Sequence, residues 1–167
     1  MVSKLKKLIY KKIDDKGMFD FDFVIGVILI LSLIVIIPDS FTVTAKMNAI
    51  SRANKYAVSA ISRQGFISYY NYDSGNLPAD EFTSNATIIN NVKTILANAG
   101  YNPNSVKISV NGFNLTNYSF LVLQYGDEVK VKITAEYDLR STNMIYPNMT
   151  NTISNTATGV CTRMIRR

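Results

Sequence analysis

The pattern of apolar and polar positions changes character at about residue 45. Residues Phe23 to Ile37 form a strongly apolar run of fifteen residues with no charge, equivalent to about 22 Å of helix. The hydrocarbon core of a bilayer is about 30 Å thick. Continuing the helix through Pro38 to Ala45 supplies the missing length, with Asp39 as the only charge. A proline inside such a span is tolerated where neighbouring groups satisfy the carbonyl it frees, so a tilted span kinked at Pro38 is expected. The pattern then turns periodic. Met47, Ile50, Asn54, Ala57 and Ile61 recur at steps of three and four, with Lys46, Arg52, Lys55 and Arg63 between them. This predicts one long helix that runs on to about Gln64 with one buried face, and Gly65 is placed to cap it.

Beyond that helix, residues 66–78 mix aromatics with turn formers and read as a loop. Pro78 to Ala99 reads as a second helix whose face is Ile88, Ile89, Val92, Ile95, Leu96 and Ala99, with Gly100 as its stop. The period then falls to two. Val106, Ile108 and Val110 alternate with polar residues up to a turn at Asn111-Gly112. Tyr118 to Gln124 is a further strand candidate, followed by a tight turn at Gly126-Asp127. Val129, Val131, Ile133, Ala135 and Tyr137 alternate with Glu128, Lys130, Lys132, Thr134 and Glu136, the pattern of a strand with one wet face in an antiparallel sheet. The Asn- and Thr-rich residues 141–155 read as a loop, and Val160 to Ile165 as a final edge strand. The expected class is α+β: a long N-terminal transmembrane helix continuing into an extracytoplasmic domain with a short helix and a meander of three or four antiparallel strands.

Charge gives this arrangement a direction. Six lysines stand against two aspartates in the first 17 residues, so +4 of the net +6 lies there and only +2 remains for the rest of the chain. Basic residues flanking a span stay on the cytoplasmic side. The expected divisions are therefore a basic cytoplasmic leader over 1–17, a transmembrane helix over 18–45 and an extracytoplasmic domain over 46–167. With the positive charge concentrated in a leader and no basic residues interleaved with aromatics, nucleic acid is not an expected partner. Histidine is absent and Cys161 is the only cysteine. That removes the commonest general base, any zinc site built from Cys and His, and any internal disulfide. No nucleophile elbow or phosphate loop occurs. An enzyme is not expected, nor is a cofactor or metal, and Cys161 reads as a small buried residue.

The junction before the apolar run reads Lys-Gly-Met-Phe-Asp-Phe-Asp-Phe over residues 16–23. A basic tract ends in glycine; five residues later comes a carboxylate, then an aromatic that opens the helix. This resembles the junction of type IV pilin-like proteins, and in particular the TadE-like pseudopilins of tight-adherence systems. The resemblance covers residues 1–45 and extends weakly to the strand from Gly126 to Tyr137. It implies a non-enzymatic structural subunit, a minor pilin or pseudopilin, whose partners are membrane lipid and other pilin-like subunits in a homo- or hetero-oligomer. It further implies that a prepilin peptidase cuts after Gly17, that Met18 becomes the new N-terminus, that Asp22 and Phe23 set register in assembly, and that Pro38 kinks the helix. The chain departs from the family pattern at Asp22, where the family has glutamate, and in carrying a second acid, Asp20. A carboxylate at the edge of lipid is costly unless paired. The free amine of a cleaved neighbour is a natural partner, and a negative group in the first helical turn also complements the macrodipole.

Two other readings of the same segment stand beside this one. Asp20 and Asp22 can be first-turn and capping acids of a permanently anchored ectodomain that binds or senses and is never polymerised. Alternatively, Val43-Thr44-Ala45 can serve as a signal-peptidase site that releases a protein starting at Lys46. Four Asn-x-Ser/Thr sequons begin at Asn85, Asn114, Asn117 and Asn148, a number near chance for so Asn-, Ser- and Thr-rich a chain. Asp73, Asp80, Glu81, Asp127 and Glu128 read as turn and cap residues. Tyr69, Tyr70 and Tyr72 are either a contact patch for a partner or packing against the long helix.

Overall fold

The computed structural model describes residues 2–139 and 150–165, with side chains from Phe23 onward except Val35. The chain divides into two compact units, Met1–Ser40 and Phe41–Arg167. It is α+β. Helix α1 spans Val2–Gln64, with Pro38 inside it. It is followed by β1 (Phe66–Ile67), α2 (Asn85–Asn98), β2 (Lys107–Val110), β3 (Phe113–Asn114), β4 (Leu121–Val122), β5 (Glu128–Asp138) and β6 (Thr150–Val160).

In the first unit, none of the described residues from Phe23 to Ile37 is buried. The serines in and just after this run turn their hydroxyls inward. Ser32 donates to the carbonyl of Ile28 at 2.7 Å and Ser40 to that of Ile36 at 2.8 Å. This back-bonding satisfies a hydroxyl without solvent.

In the second unit, the C-terminal part of α1 and the whole of α2 cover one face of a four-stranded antiparallel sheet of order β3-β2-β5-β6. Ala49, Ile50, Ala53, Ala57, Val58 and Ile61 of α1 meet Ile88, Val92 and Leu96 of α2 and the inner residues of β2 and β5 in one core. The small alanines let the helix lie close to the sheet. Strand β5 alternates buried and exposed along its whole length, apart from half-buried Thr134, as its two-residue period predicts. Helix α1 ends where Gly65 takes φ +73°, its amide donating to the carbonyl of Ile61 at 2.9 Å. Asn111 and Gly112 both have positive φ, 48° and 87°, which is the turn that joins β2 to β3.

Four expectations need correction. The second helix begins at Asn85, not Pro78, because the Ser84 side chain accepts from the amide of Thr87 and caps it there, while residues 78–82 form a turn. Only Leu121 and Val122 of the Tyr118–Gln124 stretch are strand, and they pair with β1 in a separate two-stranded sheet. The main sheet is therefore not a meander: the chain leaves it after β3, pairs elsewhere, and returns as β5 between β2 and β6. Finally, the last strand is Thr150–Val160, paired with β5 over eleven residues, and residues 161–165 are not strand. Its inner positions are Asn151, Ile153, Asn155, Ala157 and Gly159, too polar and too small to register as an apolar alternation. The remainder of the predicted loop, residues 140–149, lies outside the described residues.

Candidate functional site

Helix α1 is long and apolar enough to cross a membrane. Among the described residues, its apolar stretch from Phe23 has no buried side chain. Gly17, Met18 and Asp22 lie within the helix, and their side chains are outside the described residues. Phe23 is 65% exposed, and the described Val, Ile and Leu side chains from Val24 to Ile37 are exposed with it.

Sequence reasoning missed Lys46. Its charge placed it on the wet flank of α1, yet it is buried. The ammonium donates to the carbonyls of Ala99 and Gly100 at 3.1 and 2.8 Å, closing the C-terminal end of α2. It also lies over the rings of Tyr101 and Tyr137, 4.9 and 5.0 Å from their centroids. A cation suits both the negative end of a helix dipole and the faces of aromatic rings. The two rings meet edge to face at 5.7 Å. Burial pushes the Tyr101 phenol up to about 12, with the neighbouring Tyr137 adding to the effect. The one signal in the sequence is the spacing of Lys46 from the apolar stripe: it stands four residues before Ile50, on the same helix face. Met47, which the periodicity placed in the stripe, is exposed.

Tyr69, Tyr70 and Tyr72, just after α1, are exposed. Tyr69 is 60% exposed and Tyr118 83%, and with Tyr70, Tyr72 and Phe120 they form a chain of ring contacts. Centroid separations are 4.8 Å for Tyr69–Tyr70, 6.5 Å for Tyr69–Tyr118, 6.4 Å for Tyr70–Tyr72 and 5.2 Å for Tyr72–Phe120, all edge to face. Buried Phe66 supports Tyr72 from below at 6.0 Å. Beside these rings runs a groove of about 740 Å³ that Tyr72, Phe120, Tyr125 and Met164 help to line. Exposed, mutually supported tyrosines make a contact surface with little ordering cost.

Two of the acids, Asp73 and Asp127, have structural partners. Asp73 is buried and pairs with Arg163 at 3.3 Å while accepting from Asn76 at 2.8 Å. Asp127 accepts the amide of Gln124 at 2.7 Å and closes the turn at Gly126. Cys161 is buried, its thiol directed at the carbonyl of Arg163. Among the described residues, no three His, Cys, Asp or Glu side chains gather where a metal ion could sit. No family model matches this chain, and neither any curated protein nor any solved structure matches it.

Proposed function

We propose that the chain is a membrane-anchored, pilin-like structural subunit, a minor pilin or pseudopilin of a surface filament or of a secretion or adhesion apparatus. The observation that carries this reading is the double character of α1. None of the described side chains in its apolar stretch from Phe23 to Ile37 is buried, whereas from Lys46 onward the same helix is built into a folded domain. An exposed aliphatic surface of this length needs lipid or other apolar helices around it. The back-bonded hydroxyls of Ser32 and Ser40 fit either surrounding. In this reading the basic leader stays in the cytoplasm, residues 46–167 face outward, and Pro38 kinks the span. Asp22 pairs with the amine of a neighbour cut after Gly17, setting axial register between subunits.

The deciding experiment is mass spectrometry of the N-terminus in protein from native membranes. Met18 supports the filament subunit, and Gly17→Val should then leave the leader attached. An intact Met1 points to a permanently anchored ectodomain, and Lys46 to a secreted protein.

A further inference from the structure

The fold sorts the described sequons by burial and backbone setting. Asn85 is wholly buried, and its carboxamide nitrogen donates to the carbonyls of Thr116 and Ser119 at 3.2 and 2.6 Å. Asn148 lies outside the described residues. Asn114 sits in β3 with its backbone extended and paired opposite Ser109. Asn117, like Asn114, is exposed, but it stands in the turn from Thr116 to Ser119, outside any strand, where the Ser119 amide donates to the Thr116 carbonyl at 3.2 Å. The Ser119 hydroxyl, the third member of this sequon, is held against Thr116 at 3.0 Å. An exposed turn presents a carboxamide in a way that a paired strand does not.

The residue inside this sequon, Tyr118, belongs to the tyrosine surface. It is the most exposed of those rings and lies beside Tyr69. Such rings offer an apolar face and a hydrogen-bonding hydroxyl together, matching the C–H faces and hydroxyls of a sugar. Asp73, which follows Tyr72, is already paired with Arg163, so this surface suits an uncharged ligand.

We propose that Asn117 is a glycan attachment site and that the attached sugars lie over Tyr118 and Tyr69. In the transfer, the Asn117 carboxamide nitrogen bonds to the anomeric carbon of a lipid-phosphate-linked sugar donor. The bond from that carbon to the phosphate oxygen breaks, the phosphate leaves with the electron pair, and the proton lost by the carboxamide passes through solvent to that phosphate. The inference rests on the outward placement of residues 46–167 proposed above.

The test uses the full chain isolated from its native membranes. Peptide mass spectrometry should find added sugar mass at Asn117 and none at Asn85. Asn117→Gln should remove that mass, and Ser119→Thr, which keeps the sequon, should retain it. In the same preparations Tyr69 and Tyr118 should be nitrated several-fold faster in Asn117→Gln than in wild type. An unmodified Asn117 in a chain whose domain is cut by protease added outside the cell overturns this site and leaves the anchored reading standing. A domain shielded from that protease overturns both. Sugar at Asn117 with equal nitration rates overturns the covering of the rings and leaves that surface to a protein partner.

Discussion

Gly159 of β6 lies against Val58 of α1 so closely that a Cβ at position 159 would fall 2.5 Å from Val58 Cγ1 and 3.0 Å from the Ser62 hydroxyl. Valine on a helix has one strongly preferred rotamer, so it cannot swing aside cheaply. Gly159→Ala should therefore destabilise the domain by about 1–3 kcal/mol, the usual range for overpacking. Denaturant unfolding of the full chain in detergent would show the lowered midpoint. Adding Val58→Ala should recover part of the loss, because the two sites are coupled through one contact. An unchanged midpoint in Gly159→Ala would mean that β6 stands off from the helix.

The Lys46 ammonium joins α1 to the end of α2, and replacing it by methionine keeps the stem while removing the charge. The carbonyls of Ala99 and Gly100 would then lose their donor. A loss of about 1.5–3 kcal/mol is expected, the range for hydrogen bonds to a charged group. Thermal unfolding followed by circular dichroism measures it. A midpoint equal to wild type would show that water replaces the ammonium at no cost.

Tyr101 makes a spectroscopic prediction. Its phenol is raised from 10.0 to about 12 in the folded chain, so the folded state holds the proton more tightly than the unfolded one. The stability this contributes is fully present below pH 10 and is lost as pH rises through 12. The difference in phenolate absorbance between wild type and Tyr101→Phe should therefore titrate near pH 12. A difference that titrates near 10 would place the ring in water.

Under the proposed function, Asp22→Ala should leave the domain folded and the chain in the membrane but abolish assembly. A neighbour's amine would lose its counter-ion in an apolar surround, where an unpaired charge costs about 3–5 kcal/mol. Electron microscopy of surface filaments, alongside a blot for membrane protein, separates the two effects. Normal incorporation of the variant would remove the register role of Asp22.

The elements legible in the sequence were those with a single strong period. The end of α1 at Gln64 and the alternation of β5 followed directly from apolar spacing and a glycine stop. The failures have a common cause, which is that contact with the rest of the fold changed what a residue type meant. Lys46 is a cation inside the core because helix-end carbonyls and two rings await it. Strand β6 has polar inner residues because Asn155 accepts a hydrogen bond from buried Asn54 at 2.7 Å and Gly159 makes room for Val58. Helix α2 begins late because the Ser84 cap outweighs Pro78, six residues upstream of it. The tyrosine surface was legible as composition but not as geometry, since ring contacts between residues 69 and 118 depend on the fold of two separate loops.

The sheet ends in β6, eleven residues with no charge and no proline, and among the described residues no strand pairs with its far side. Most edges of this length carry a lysine, a bulge or a covering segment that turns other chains away. This strand carries no such charge, and its wet side presents Thr152, Ser154, Thr156 and Thr158. For the domain freed from its apolar helix, concentration rather than heat becomes the variable that decides whether it stays monomeric.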